Sequence, residues 1–396
     1  MLSRALAYIK YVSGGVATPE DTHNPLIQEL QHWILSDSSR KRDFEAAVAA
    51  AKSYNINEMQ NIQSLEHFLT FLNEQLHWIP TEAIRPKDLL HRLTITWLIF
   101  DQPPIRKYQS PIRPIVGQHQ EPDELTWLST WMIRYSNAIG HFMDTPASAS
   151  ELTTFRSNPA YRMNDYIEPR SGWKTFNEFF SRHVKPGRRP IAAIGDNSVV
   201  TSPADFEFKE MHRITAASRV TTKGLSWPIA QMLVDSPYKD RFAGGVWLHG
   251  FLNVDDYHRV HAPVAGTVVE ARVIQGQNYM QVEAHGPRGE GGAELSIPNE
   301  TGYQFCQSRG LVIIDTGGGL VAVLPVGMAL VSSVILTAEL GAQLHKGEEL
   351  GYFQFGGSDV VLIFEGRLNT QITMLAGQHY KMGEHIGHLS PEESVP

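Results

Sequence analysis

Gly351-Tyr-Phe-Gln-Phe-Gly-Gly-Ser-Asp-Val-Val-Leu-Ile-Phe-Glu365 joins an alternating apolar run to two glycines and a serine, then resumes as a continuous apolar run. Val360–Phe364, bounded by turn-forming residues, reads as a buried strand. The Gly356-Gly357-Ser358 step has several readings. The plainest is a hairpin turn, because glycine reaches positive φ freely and serine is common in turns. A phosphate cradle would need Gly-Lys-Ser/Thr before a helix, and a nucleophile elbow would need Gly-x-Ser-x-Gly before a helix; neither pattern is present. A further reading turns the Ser358 hydroxyl on its own backbone. Glycine before the serine puts no Cβ in the way. Given a strained peptide and a base, an N→O acyl shift makes an ester of the Gly357–Ser358 bond. β-Elimination then breaks the ester and leaves dehydroalanine, which hydrolyses to a pyruvoyl cap. That ketone can form a Schiff base with an amine and act as an electron sink for decarboxylation, as pyridoxal phosphate does elsewhere.

Outward from this stretch the chain follows two patterns. From Thr22 to about Met143 the apolar residues recur at helical steps: Leu65, Phe68, Leu69, Leu72 and Leu76 in one segment, and Leu125, Leu128, Trp131, Met132 and Tyr135 in another. Prolines at 80, 86, 103, 104, 111 and 114 divide this half into short helices and loops. His67, His77 and His91 lack metal-like spacing and read as structural or exposed. Asp144–Asp165, rich in Pro, Ser, Thr and Asn, reads as a linker. Beyond it, short β-branched runs such as Val268–Ile274 and Gly310–Asp315 alternate with Gly, Pro and Asp clusters. The expected fold class is α+β, with a helical accessory domain and linker over residues 1–165 and a β-rich catalytic domain over 166–396.

Bulk properties bound the function. The 396 residues carry 42% hydrophobic and 19% charged side chains, ordinary for a chain with a substantial core. A net charge of −8 argues against nucleic acid as a partner. A single cysteine, Cys306, excludes an intrachain disulfide and a cysteine-rich zinc site, and it reads as a small buried apolar residue. No apolar run reaches the ~20 residues that span a bilayer, and Leu93–Phe100 is a core segment by length. Met1–Gly15 carries Arg4 and Lys10 without acids, too little for a targeting signal, so the expectation is cytoplasmic. The last residues, Ser390–Pro396, are polar and read as frayed.

Self-cleavage at Ser358 needs a base and a group to orient it. Asp256-Tyr-His-Arg-Val-His-Ala-Pro-Val-Ala-Gly-Thr-Val268 supplies His258 and His261, and Ser202-Pro-Ala-Asp205 supplies a carboxylate. The bland reading of the histidines is a strand-end pair. A metal site would need another ligand at matching spacing, and none is evident, so no metal is expected.

Together these segments resemble the phosphatidylserine decarboxylase family of pyruvoyl-dependent decarboxylases. The likeness runs in order from Trp173 to Leu389. It includes Phe176–Ile191 (FNEFFSRHVKPGRRPI), Ser202–Asp205, Asp256–Val268 and Glu349–Phe364. The resemblance implies that Ser358 becomes the pyruvoyl group, with cleavage after Gly357 into a large β chain, 1–357, and a small α chain, 358–396, that stay associated. It implies His261 as the base for self-cleavage, Asp205 as its orienter, and His258 as a participant in decarboxylation near the pyruvoyl. The chain departs from the family at several positions. Gly-Gly-Ser-Asp stands where Leu-Gly-Ser-Thr is commonest, Phe206 where glycine is usual after the aspartate motif, and Thr301 after Asn299-Glu300 where arginine is common. Gly-Gly-Ser and a helical extension resemble the soluble branch of the family, which includes fungal tryptophan decarboxylases of secondary metabolism. Asp359 would either perturb the charge at the site or hold the ester geometry.

The expected substrate is therefore a soluble amino acid, tryptophan first, with Phe206 lining an aromatic pocket or lying in the core. Phosphatidylserine is the alternative. Two other classes stay open. One is a scaffold or binding homologue that does not process itself. The other is a pyridoxal phosphate enzyme using Lys223 in Thr-Thr-Lys-Gly. A homo-oligomer is compatible with the sequence.

Overall fold

The computed structural model describes residues 23–56, 59–82, 88–115, 124–222, 224–285, 294–296, 302–328 and 333–390. Met1–Gly15, the side chain of His91, Lys223, Asn299–Thr301 and the tail beyond Ser390 lie outside the described residues.

Helices occupy the first part of the chain, and local capping explains their ends. Asn24 accepts from the backbone N–H of Leu26 at the start of Pro25–Leu35, Ser64 from that of His67 before Leu65–Gln75, and Thr126 from that of Ser129 before Trp127–Met143. The apolar stripe read from the sequence is the buried one: Leu65, Phe68, Leu69 and Leu72 all face inward. In Asp88–Phe100, Leu93–Phe100 are buried all round, which accounts for a run of apolar residues and threonines in a helix too short to span a bilayer. No described helix is long and apolar enough to cross a membrane.

The second part is built on an eight-stranded antiparallel sheet. Its order is Gln343–Leu344, Gly266–Ile274, Arg309–Asp315, Leu320–Met328, Gly357–Phe364, Val246–Leu252, Phe206–Arg213 and His379–Tyr380. Gly357–Phe364, the serine strand, lies inside it, paired on one side with Leu320–Met328 and on the other with Val246–Leu252. Period-two alternation divides its side chains. Val360, Leu362 and Phe364 join a core that continues into the helices, whereas Val361 and Ile363 join a second core with Trp227, Trp247 and Phe305. A central strand buried on both faces explains the continuous apolar run at 360–364. A small sheet of Val334–Leu336, Glu349–Phe353 and Arg259–His261 brings the histidine segment beside the approach to the serine strand.

The helices and the sheet share one apolar core, which extends from Ile27 and Leu30 through Trp131 to Val312 and Val360. Polar contacts cross the same seam: Tyr279 donates to Asp101 at 2.7 Å, and Asn177 Nδ2 donates to Asp144 at 2.8 Å. The segment read as a linker is not a spacer. It forms short helices at Pro146–Ala149, Leu152–Ser157, Pro159–Tyr161 and Met163–Asp165. Its Phe155 is buried against Tyr161, Phe176 and Phe179. Pro146 begins the first of these helices and Asn158 with Pro159 the third, so part of a composition typical of spacers here marks helix starts.

Phe206 is fully buried, packed over Gly250 on the neighbouring strand. A Cβ at position 250 would come within 2.2 Å of the Phe206 ring. Gly250→Ala should therefore cost about 1–3 kcal/mol by overpacking. Denaturant unfolding would measure it, and an unchanged midpoint would contradict this packing.

Candidate active site

Ser358 enters the sheet at the start of its strand, opposite Gly327 and Leu252, and is fully buried. Before it, Gly356 takes φ 151°, a setting that L side chains rarely adopt, so the chain turns into the strand there at a position that tolerates only glycine well. The backbone N–H of Phe355 is held by Asn177 Oδ1 at 2.9 Å.

His258 is the ring that reaches the serine. Its Nδ1 lies 3.0 Å from Ser358 Oγ, and its Nε2 lies 3.4 Å from the Val254 carbonyl. A carbonyl can only accept, so Nε2 carries the proton and Nδ1 offers its lone pair to the hydroxyl. Phe180 stacks on the imidazole with ring centroids 3.9 Å apart, and Phe353 meets it edge-on. Burial first, and the charge of Arg182 second, push the His258 pKa down to about 3. The ring is neutral at pH 7, the form that can take a proton.

His261 and Asp205 stand one layer further out. His261 Nδ1–H donates to the Gly347 carbonyl at 2.8 Å, so Nε2 accepts from Tyr257 OH at 3.0 Å. Burial lowers its pKa, partly offset by the bond to Gly347. Asp205 is fully buried, gripped by Arg189 Nε at 2.8 Å and Nη2 at 2.5 Å and by the Met382 N–H at 2.9 Å. No hydrogen bond joins Asp205 to His261, nor His261 to Ser358. The four residues singled out in the sequence thus lie in one buried neighbourhood, but only His258 touches the serine.

The supporting residues were not singled out beforehand, although most sit inside the quoted motifs. Phe180 stacks on His258. Arg182 donates to the Asp255 and Asp256 carbonyls at 3.0 and 3.2 Å and so fixes the turn before His258. Asp256 closes that turn by accepting from the Asn253 N–H at 2.8 Å, and it also pairs with His379 at 2.8 Å. Arg259 links the Ser181 carbonyl to Glu349 at 2.7 Å each. The segment Phe176–Ile191 therefore serves as a brace for the Asp205 and histidine segments. Asp359 points to the opposite face of the sheet from Ser358, as alternation requires. Among the described residues no group of three or more metal-ligating side chains is present.

The family model for phosphatidylserine decarboxylase matches residues 176–388, more than half of the chain. The chain belongs to the phosphatidylserine decarboxylase family. It is 34% identical over 260 residues to phosphatidylserine decarboxylase proenzyme 3 of Schizosaccharomyces pombe, which covers 62% of this chain and 25% of that protein. It is 31% identical over 234 residues to phosphatidylserine decarboxylase proenzyme 2 of Oryza sativa, covering 58% and 36%. With the phosphatidylserine decarboxylase proenzyme of an Anaeromyxobacter strain it shares 32% over 235 residues, covering 54% and 78%. The chain thus spans about a quarter to a third of the larger relatives and most of the bacterial one. The Phe176–Ile191 brace opens the matched region.

A buried neutral histidine makes stability depend on acid. Well above pH 6.5 the His258 ring is uncharged in folded and unfolded chains alike and contributes nothing to the slope. As pH falls from 6.5 toward 3, only the unfolded chain takes up the proton. Stability should then decline by up to about 1.4 kcal/mol per pH unit for this ring. His379, raised by its bond to Asp256, acts in the opposite sense. Denaturant unfolding of Ser358→Ala between pH 7 and pH 5, compared with the same chain carrying His258→Asn, isolates the His258 share. Equal slopes in the two would contradict a buried neutral ring.

Proposed function

We propose that this chain cuts itself between Gly357 and Ser358 and then decarboxylates an amine-bearing substrate, phosphatidylserine first. The observation that carries the reading is the contact between His258 Nδ1 and Ser358 Oγ, at 3.0 Å, inside motifs that follow the family order. The buried serine, the glycines before it and the neutral imidazole suit conversion of Ser358 to a pyruvoyl group. When present, that group supplies a ketone that accepts a primary amine and takes up the electron pair left as CO₂ departs.

His258 is placed to take or return a proton at residue 358, so its role is proton transfer during decarboxylation. Asp205 and His261 are assigned to self-cleavage. For His261 to act directly on Ser358, its ring must leave Tyr257 OH and the Gly347 carbonyl, so cleavage would begin from a rearranged Tyr257–His261 pair. Asp205 keeps Arg189 and the backbone of Met382 in place around that pair. The cut chains would remain together, because the small chain's serine strand is flanked by large-chain strands on both sides and Met382 is tied to Asp205.

The substrate choice rests on the names of the relatives given above, each of which carries phosphatidylserine. The tryptophan expectation loses one of its supports, since Phe206 is fully buried in the core over Gly250. A CO₂-release assay with phosphatidylserine vesicles and with free amino acids, tryptophan included, separates the two. Release from vesicles alone is expected, and release from tryptophan alone would reverse the choice. On a denaturing gel the parent should give two chains, the smaller with a blocked N-terminus, and Ser358→Ala one. His261→Ala and Asp205→Asn should leave the chain uncut. His258→Ala should be cut but lose CO₂ release by about a hundredfold or more. An uncut His258→Ala would move the cleavage base to His258.

A further inference from the structure

Asp359 is a fully buried carboxylate next to the reactive serine that the chemistry above does not use. Three side chains from residues before the cut converge on its Oδ2: Tyr303 OH donates at 2.6 Å, Gln304 Nε2 donates at 3.4 Å, and His249 Nε2 lies at 3.3 Å while also facing Gln304 Nε2 at 3.2 Å. Gln304 is itself fixed, since its Oε1 accepts from the Gly302 N–H at 2.8 Å. Burial, and then the neighbouring carboxylate, push the Tyr303 pKa well above its ordinary value, so the phenol keeps the proton it donates. Asp359 Oδ1 and His249 Nδ1 are buried without partners. An apolar side chain would fill this place at less cost, so the carboxylate calls for an explanation beyond packing.

The self-cleavage chemistry gives one. When the Gly357–Ser358 bond breaks, residue 358 loses its covalent tether and, as a pyruvoyl group, its backbone N–H. Residue 359 is then the first in the small chain with both backbone groups. Strand alternation leaves its side chain on the face away from His258, where the large chain grips it. We propose, resting on the self-cleavage reading, that Asp359 is a positioning residue: Tyr303, His249 and Gln304 hold its carboxylate so that the new ketone stays opposite His258. Tyr303 also lines a cavity of 740 Å³ together with Trp227, Tyr279 and Arg106.

The test uses the self-cut enzyme with Tyr303→Phe, Asp359→Asn and both together. All should give two chains. The single variants should lose about tenfold to a hundredfold in kcat with KM within about threefold, because a misplaced ketone slows the chemical step more than it weakens binding. The double variant should be no slower than the slower single one, as expected of two parts of one contact. The rate of phenylhydrazine addition to the ketone should also change in each. Variants that match the parent in kcat overturn the proposal, and so does a double variant whose loss is the product of the singles. If Asp359→Asn fails to fold, Tyr303→Phe, which removes only a hydroxyl, decides alone by the same kcat criterion. A parent that stays in one piece or releases no CO₂ sinks the self-cleavage reading itself. A working parent with indifferent variants sinks only the role of Asp359.

Discussion

Ser358 Oγ and His258 Nδ1 meet at 3.0 Å in a place neither shares with bulk water. Burial keeps the imidazole neutral, and a neutral imidazole holding its proton on Nε2 presents a lone pair to the hydroxyl. Much of the surrounding architecture serves that contact. Phe180 fixes the plane of the ring, Arg182 and Asp256 fix the turn that delivers it, and the serine strand is fixed by neighbours on both sides. The helical half contributes through Asp144, which orients Asn177, which in turn holds the N–H of Phe355 just ahead of the serine.

Two charged residues of the Phe176–Ile191 brace divide the work. Arg182 reads backbone carbonyls of the histidine segment, and Arg189 reads the Asp205 carboxylate through two bonds of its guanidinium fork. Planar, multiply donating side chains suit both tasks, which need several hydrogen bonds in fixed directions from a buried position. A lysine at either place would supply charge without that geometry.

Much of this was legible in the sequence. The helical stripe of Leu65–Leu72 and the buried strand at Val360–Phe364 follow from periodicity, and the motifs singled out Asp205, His258, His261 and Ser358, which the fold gathers in one buried neighbourhood. What periodicity could not supply was which histidine touches the serine. His261 lies within a short strand and His258 just before it, so their directions depend on the turn that Arg182 and Asp256 hold together. The Asp205–Arg189 grip was also hidden, because it joins two motifs through a contact that no local pattern encodes. The Asp144–Asp165 segment misled for a physical reason: proline and asparagine start short helices as readily as they punctuate spacers.

The interior position of the serine strand has a kinetic corollary. Under the proposed cleavage, the uncut chain can assemble its sheet within a single molecule. Once severed, the same sheet could re-form only if a separate fragment threaded between two strands that would otherwise close on each other. Unfolding of the processed form should thus be hard to reverse, and its persistence would be governed by how slowly it opens rather than by an equilibrium.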